Sequence, residues 1–429
     1  MKRVAIATLG CKTNQFESAA ISEKFTNAGY AVVPFTQSAD IYVVNSCTVT
    51  ARTDAETRRL IRRARRLNPQ ARIIATGCYA QVAPGELEQM PELDSVLGNQ
   101  EKQDIIGLVE TGESRVSDIA TERTSGPLRL ESFAEHTRAF LQVQNGCNSF
   151  CSYCIVPFAR GRSRSVPCKD VLQGIRDLTG NGYREVVLTG IHLGAYGLDL
   201  TPPATLTDLV QRIDVEQLVQ RLRIGSIEPN EISAELLALM TKSEIICPHL
   251  HLPLQSGSDN VLQRMGRRYT AGFFRELVAR ISATLPQAFI GADVIAGFPG
   301  ESEDEFNETL QLIEELPFSD LHVFPYSSRP GTKAAKMPGQ VPGALIKHRA
   351  ELLRNCATKK KAAFLAQQVG CTLQVLIQGY DDNKQMCKGI SSNYVSVHFP
   401  GLAESINTNQ PVMVTDIVGE YVIGHADNV

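Results

Sequence analysis

AFLQVQNGCNSFCSYC, residues 139–154, runs an apolar β pattern into three cysteines spaced CxxxCxxC, Cys147, Cys151 and Cys154. Three thiolates can ligate only three irons of a 4Fe-4S cubane, so the fourth iron keeps an open coordination site. A zinc site would want a second pair of Cys or His ligands at matched spacing, and no such pair lies close by.

Downstream, the strand patterns REVVLTG (184–190), LRIGSIE (222–228), HLHLPLQ (249–255), FIGADVIAG (289–297) and DLHVFPY (320–326) alternate with helical segments such as Ser233 to Thr241 and Ser302 to Leu316. With the opening strand they make six β/α units, the pattern of a partial barrel whose chemistry sits at the carboxyl ends of its strands. An open iron placed there suits S-adenosylmethionine (SAM), which can chelate it through amino and carboxylate groups and be cleaved by an electron from the cluster. The strand ends supply candidates for holding SAM. Tyr153 is placed to lie against adenine, the turn at Gly190 and His192 to offer backbone groups to the amine, and Ser226 and Glu228 to bond the methionyl part or ribose. Gln255 and Asp293 join the same cofactor-binding set. His249 and His251 read as strand histidines with satisfied hydrogen bonds.

Upstream, RVAIATLG, IYVVNS and RIIATG each run into a turn and a cysteine: Cys11, Cys47 and Cys78. Helical patterns from Glu17 to Ala28 and from about Thr53 to Leu67 separate them, as in a parallel sheet of βαβ units. The carboxyl ends of such strands line one crevice. Three cysteines repeated in that register point to a second three-ligand cluster, although any one alone would read as a small buried apolar residue. The second helix carries Arg58, Arg59, Arg62, Arg63 and Arg66 on a dense positive face, which suits an RNA backbone better than a merely solvated surface.

A polar stretch from about Glu110 to Glu135 reads as a linker. A basic helix, about Ala344 to Gln368, leads into β-rich runs (TLQVLIQG, YVSVHF, PVMVTDIV, EYVIGHA) expected to form a small antiparallel OB-type barrel. The fold class is therefore α/β with a β-barrel tail, divided as 1–125, 133–366 and 367–429. The remaining cysteines, Cys168, Cys247, Cys356, Cys371 and Cys387, show no regular placement and read as structural.

Bulk properties agree. The chain has 429 residues, more than one core usually serves, with 43% hydrophobic and 21% charged residues. Its net charge of −3 confines any nucleic-acid surface to a local patch. No apolar run is long enough for a membrane span, and the N-terminal apolar stretch is too short for a signal peptide, so a cytoplasmic protein is expected. Eleven cysteines in such a protein suggest metal or redox use rather than disulfides.

These motifs together resemble the methylthiotransferases of the radical SAM superfamily over essentially the full length. The first segment carries TLGCKTNQFES, VVNSCTVT and ATGCYAQ; the barrel carries NGCNSFCSYCIVPFARGRSRS, LTGIHLGAYG, GSIEPNE, HLPLQSGSDNVLQRMGRRYT, VIAGFPGE and SRPGTKAA. The resemblance implies an N-terminal methylthiotransferase domain, a radical SAM barrel and a C-terminal TRAM domain. It implies two [4Fe-4S] clusters and SAM, with Cys147, Cys151 and Cys154 holding the SAM-cleaving cluster and Cys11, Cys47 and Cys78 an auxiliary cluster associated with the inserted sulfur. NSCTVTARTDAETRR and LTGIHLG look most like the branch that modifies C2 of N6-threonylcarbamoyladenosine (t6A) next to the anticodon of tRNA. Relatives act instead on isopentenyladenosine or on an aspartate of ribosomal protein S12. The implied partners are tRNA carrying t6A, an electron donor of flavodoxin or ferredoxin type and a sulfur donor, with no membrane. A non-enzymatic iron-sulfur RNA-binding or electron-transfer protein is the contrasting reading.

Overall fold

The computed structural model describes residues 1–123, 128, 130 and 137–426. Its first unit is a five-stranded sheet of order β2-β1-β3-β4-β5, parallel throughout. The strands are β1 (Arg3–Thr8), β2 (Ala31–Val33), β3 (Ile41–Ser46), β4 (Arg72–Gly77) and β5 (Ser95–Val96). Helix α1 (Lys12–Asn27) packs Ile21 and Phe25 on one face, and α2 (Ala51–Leu67) packs Ile61 and Ala64 on the other. Coverage on both faces explains why β3 is buried at every position and opens with four apolar residues in succession, Ile41 to Val44. Thr8 pairs with Asn45, which pairs with Thr76, and Ser46 pairs with Gly77. The three strands therefore end level, and the three cysteines follow at one edge.

This first unit continues past Glu110, where the sequence suggests a linker. Arg115 bridges to Leu97, Ser117 donates its backbone N–H to Glu101, and Ile119 is buried. Polar composition misleads here because the segment is held by its backbone. Residues 124–127, 129 and 131–136 of the expected linker lie outside the described residues.

The second unit is the expected partial barrel. Its strands are β6 (Arg138–Gln142), β9 (Glu185–Thr189), β10 (Arg221–Ile224), β11 (His249–Gln255), β12 (Phe289–Ala296) and β13 (Asp320–Pro325). They form two parallel three-stranded sheets, β6-β9-β10 and β11-β12-β13, joined by bridges at Leu222–Ile246 and Ser226–His251. A short antiparallel pair, β7 (Gln144–Asn145) with β8 (Arg164–Ser165), frames the cysteine loop. Helix α1 of the first unit adds Phe16 and Ala20 to the barrel's hydrophobic core, beside β6.

The third unit is a closed barrel, β14-β15-β16-β18-β17: β14 (Thr372–Asp381), β15 (Met386–Ser391), β16 (Ser396–Pro400), β17 (Asn409–Val418) and β18 (Tyr421–His425). It docks where the strands of the second unit begin. Arg221 and Arg223 donate to the carbonyls of Ile390, Ser391 and Ser392, Asn393 to that of Gln287, and Asn407 to that of Gly182. The tail thus caps the end of the barrel opposite the strand ends that carry the cysteines. In the preceding helix, Gly343–Ala366, the basic run has structural partners: Lys360 donates to the carbonyls of Glu314 and Leu316, and Lys361 pairs with Glu420. Among the described residues no helix is long and apolar enough to cross a membrane.

Candidate active site

The loop holding Cys147, Cys151 and Cys154 is fixed by its backbone. Cys147 N–H donates to Gly161 O (3.1 Å), Cys154 N–H to Cys151 O (3.0 Å) and Ser152 N–H to Met265 O (2.9 Å). Donors also reach the sulfurs. The amide of Ser149 lies 3.4 Å and His192 Nδ1 3.5 Å from Cys147 Sγ, and Arg267 donates to Cys151 Sγ at 3.4 Å. Burial would raise the Cys147 thiol, but the bonds from His192 and Ser149 outweigh it and hold its pKa below the usual value. Cys154 is pushed up to about 12 by burial.

The second triad is built by close backbone approach. At Gly10, φ is +96°, and a Cβ would fall 2.6 Å from Cys47 Cβ. At Gly77, φ is +95°, and a Cβ would fall 2.4 Å from Ser46 O. Arg160, wholly buried in the helix Val156–Arg160 that follows the first triad, donates from Nε to Cys78 Sγ at 3.2 Å. Its remaining nitrogens bond Glu17 and Asn14 of α1. Burial, with Cys78 and Cys11 adding to it, raises Cys47 to about 12.

Both triads fit an iron-sulfur cluster better than a single ion. Thiolates around one tetrahedral zinc stand about 3.8 Å apart. Among the described residues, however, the only three potential ligand atoms all within 4.8 Å of one another belong to His251, Asp293 and His322. Neither cysteine triad is that close, which sets both apart from a preformed one-ion site, and all eleven cysteines are free thiols. Thiols raised by burial ionise when a cationic centre binds, so loading and deprotonation are coupled.

A cavity lies between the triads. Tyr153, Cys154, Gln255 and Asp293 line it from the barrel, and Val49 and Thr50, next to Cys47, line it from the first unit. Three of the expected SAM contacts thus converge there. Gln255 reaches it from a left-handed backbone (φ 64°) at a register shift in β11. Glu228 instead pairs with Arg267, and Ser226 is exposed, its hydroxyl 3.4 Å from His251 O. At the turn after Gly190 the N–H groups of Ile191 and His192 both donate to Gln144 Oε1, at 3.0 and 2.7 Å, so that only its carbonyls could serve an amine. His192 Nε2 meets Glu231 at 2.7 Å. His251 is bonded to Asp293, as expected of a satisfied strand histidine, whereas buried His249 stacks on Phe289 and leaves Nδ1 without a partner.

The arginine face of α2 is narrower than its sequence suggests. Arg58 turns in to donate to Tyr79 Oη (2.6 Å), and Arg59 pairs with Glu56. Arg62 and Arg66 are exposed, and Arg63 is half-buried. Sequence reasoning also gave no role to Gln144, Arg160, Arg267 and Arg329. Arg329 reaches across from the loop after β13 to Thr48 and Asp54, and Ser327 Oγ accepts the backbone N–H of Ala51. Their motifs were visible, but their partners are distant in sequence.

Residues 3–98 match an uncharacterised protein family, UPF0004, and residues 141–313 match the radical SAM superfamily. The chain is 40% identical to the threonylcarbamoyladenosine tRNA methylthiotransferase MtaB of Bacillus subtilis, over 95% of this chain and 92% of that one. It is 39% identical to the protein of the same name from Aquifex aeolicus (94% and 98% covered). It is 32% identical to the tRNA-2-methylthio-N(6)-dimethylallyladenosine synthase of Desulfitobacterium hafniense (97% and 95%). In fold it is similar to TsrM of Kitasatospora setae, a radical S-adenosylmethionine methyltransferase. The TM-score is 0.55 at 15% identity, covering 76% of this chain and 74% of that one.

Proposed function

The chain belongs to the radical SAM tRNA methylthiotransferase family, and from that membership we propose that it adds a methylthio group at C2 of N6-threonylcarbamoyladenosine 37 in tRNA. The observation that carries this reading is the single cavity walled by Cys154 and Tyr153 on one side and by the Cys47 loop on the other. When bound, a cluster on Cys147, Cys151 and Cys154 supplies the electron that cleaves SAM, and one on Cys11, Cys47 and Cys78 presents the sulfur to be transferred. Adenine C2 carries no acidic proton, so a radical route avoids the poor polar substitution.

The protein's own groups position these parts. His192, Ser149 and Arg267 hold donors on the first triad and Arg160 holds one on the second. Tyr153, Gln255 and Asp293 shape the space for SAM and the base. Arg62 and Arg66 meet the tRNA backbone. An external electron donor of flavodoxin or ferredoxin type and a sulfur donor complete the cycle.

The anaerobically reconstituted protein, given SAM, reductant and t6A-bearing tRNA, is expected to yield the 2-methylthio nucleoside by mass spectrometry. Cys151→Ala should abolish 5′-deoxyadenosine formation, whereas Cys47→Ala should keep some of it and make no methylthio product. Product only from isopentenyladenosine-bearing tRNA would move the chain to the other branch; equal loss of both activities in the two variants would remove the division of labour.

A further inference from the structure

Arg160 follows the first triad in the barrel unit, closing the helix Val156–Arg160, but its side chain serves the first unit. Nε donates to Cys78 Sγ at 3.2 Å, Nη1 to Glu17 Oε1, and Nη2 to Asn14 Oδ1 and to Glu17 Oε2 (3.1 Å). Asn14 Nδ2 in turn donates to Leu9 O at 2.7 Å and to Ser46 O at 3.0 Å, in the turns that lead into Cys11 and Cys47. One guanidinium thus touches or braces all three cysteine loops of the second triad.

Its charge is only partly matched. Lys102 Nζ also reaches Glu17 Oε2, at 2.5 Å, with Asn99 Oδ1 as its other acceptor at 2.8 Å. Arg160, Lys102 and Glu17 are each at most 2% exposed, so two cations share one acid away from solvent. The neighbouring acids do not close that difference. Glu101 faces Ser117 and Arg115, and Asp54, beyond Cys47, is taken by Arg329. One positive charge is left over, and the three thiols feel it: Cys78 and Cys11 favour the charged guanidinium, which in turn favours ionisation of Cys47. A buried uncompensated charge is costly, and an anion set beside it offsets that cost.

Three thiolates on an oxidised cubane core carry one net negative charge, and one-electron reduction adds a second. The leftover cation balances the first and favours the second, and it arrives as a hydrogen bond to a ligand sulfur, a contact that tunes cluster potentials. The first triad is arranged differently. Arg267, on Cys151, has Glu228 to itself, and His192, beside Cys147, has Glu231.

Resting on the two-cluster reading above, we propose that Arg160, with Lys102 behind it, holds one surplus positive charge against the second cluster and raises its reduction potential. Glu17 sets the size of that surplus. Because Arg160 belongs to the barrel unit, the second cluster gains this charge only where the two units are docked.

The test uses the full chain carrying Cys147→Ala, Cys151→Ala and Cys154→Ala together, so that only the second cluster loads. Iron content is measured, and the midpoint potential is read from the EPR signal of the reduced cluster in an anaerobic titration. Arg160→Gln and Lys102→Gln each remove one positive charge and should make reduction about tenfold less favourable, a shift of ~59 mV to lower potential for one electron. Glu17→Gln removes the acid and should shift the potential upward. Arg160→Lys, which keeps the charge, should recover most of the loss. A merely structural role would change iron content or stability and would not give opposite signs in Lys102→Gln and Glu17→Gln. If Arg160→Gln loads no cluster, those two variants, neither of which touches a sulfur, decide the matter. Potentials that stay put, or that move in the same direction in both, with iron retained, overturn the charge assignment alone. A wild-type chain that takes up iron for one cluster only, with none on the chain lacking the first triad, overturns the two-cluster reading and the inference with it.

Discussion

Glu17 sits in α1 with its carboxylate taken by Lys102 of the first unit and by Arg160 of the second, all three buried. Burial alone would raise its pKa, but the two cations reverse this and hold it at about 2, below the ordinary 4.5. A carboxylate depressed in the folded state stabilises fully above its unfolded pKa, and that contribution is lost as pH falls from about 4.5 toward 2. Glu17→Gln leaves both cations buried without their acid, and a loss of about 3–5 kcal/mol is expected. Thermal melts of the full chain at neutral pH should show it, and the variant should lack this part of the wild-type acid sensitivity; an unchanged melting temperature would sink the argument. None of this was legible from the sequence. Glu17 is 85 residues from Lys102 and 143 from Arg160, and isolated charges in FARGRSRS or NQEK look like solvated surface. The cysteines were legible because their spacing is local in one triad and tied to strand ends in the other.

At the scale of elements, strong periodicity was readable and short pieces were not. β11 occupies the stretch its pattern marks, His249–Gln255, whereas β2, β5, β7 and β8 have only two or three residues and exist through their neighbours. Helix α1 begins at Lys12, five residues before its pattern becomes clear, because the residue that caps it is Cys11, which makes no side-chain capping bond and carries no capping signal. The charge of α2 was readable, but the use of each arginine was not: Tyr79, Glu56 and Asp94 claim Arg58, Arg59 and Arg65. Arg62 has only a looser pairing with Glu92 at 3.7 Å, and Arg66 is exposed, so these two are the arginines proposed to meet RNA. Changing both to Glu should weaken tRNA binding and lower the slope of log K against log salt by about 2. Titrations at several salt concentrations check this, and an unchanged slope would return the helix to ordinary solvated surface.

Across the whole molecule, the tail barrel caps the barrel end remote from the cysteines, so the geometry of the reaction space is set by contacts between the first two units. Arg160 ties Cys78 and α1 to the loop after the first triad; Asn99 Nδ2 donates to Ala159 O; Arg329 and Ser327 clamp the segment from Thr48 to Asp54 that follows Cys47. On the proposed division of labour, a methylthio product requires sulfur from one unit to meet a carbon activated from the other, whereas deoxyadenosine formation requires only the barrel. Loosening the clamp should therefore uncouple the two, since a displacement of about 1 Å can cost as much as 100-fold in rate. Arg329→Gln leaves Thr48 and Asp54 with a weaker, neutral partner, and is expected to retain the iron of both clusters and most deoxyadenosine formation. Its ratio of methylthio product to deoxyadenosine should fall about tenfold or more. Asp54→Asn, altering the other side of the same pair, should lower that ratio in the same direction. If both variants keep the wild-type ratio with both clusters intact, the spacing of the triads does not depend on this clamp, and Arg160 with its partners in α1 must set it.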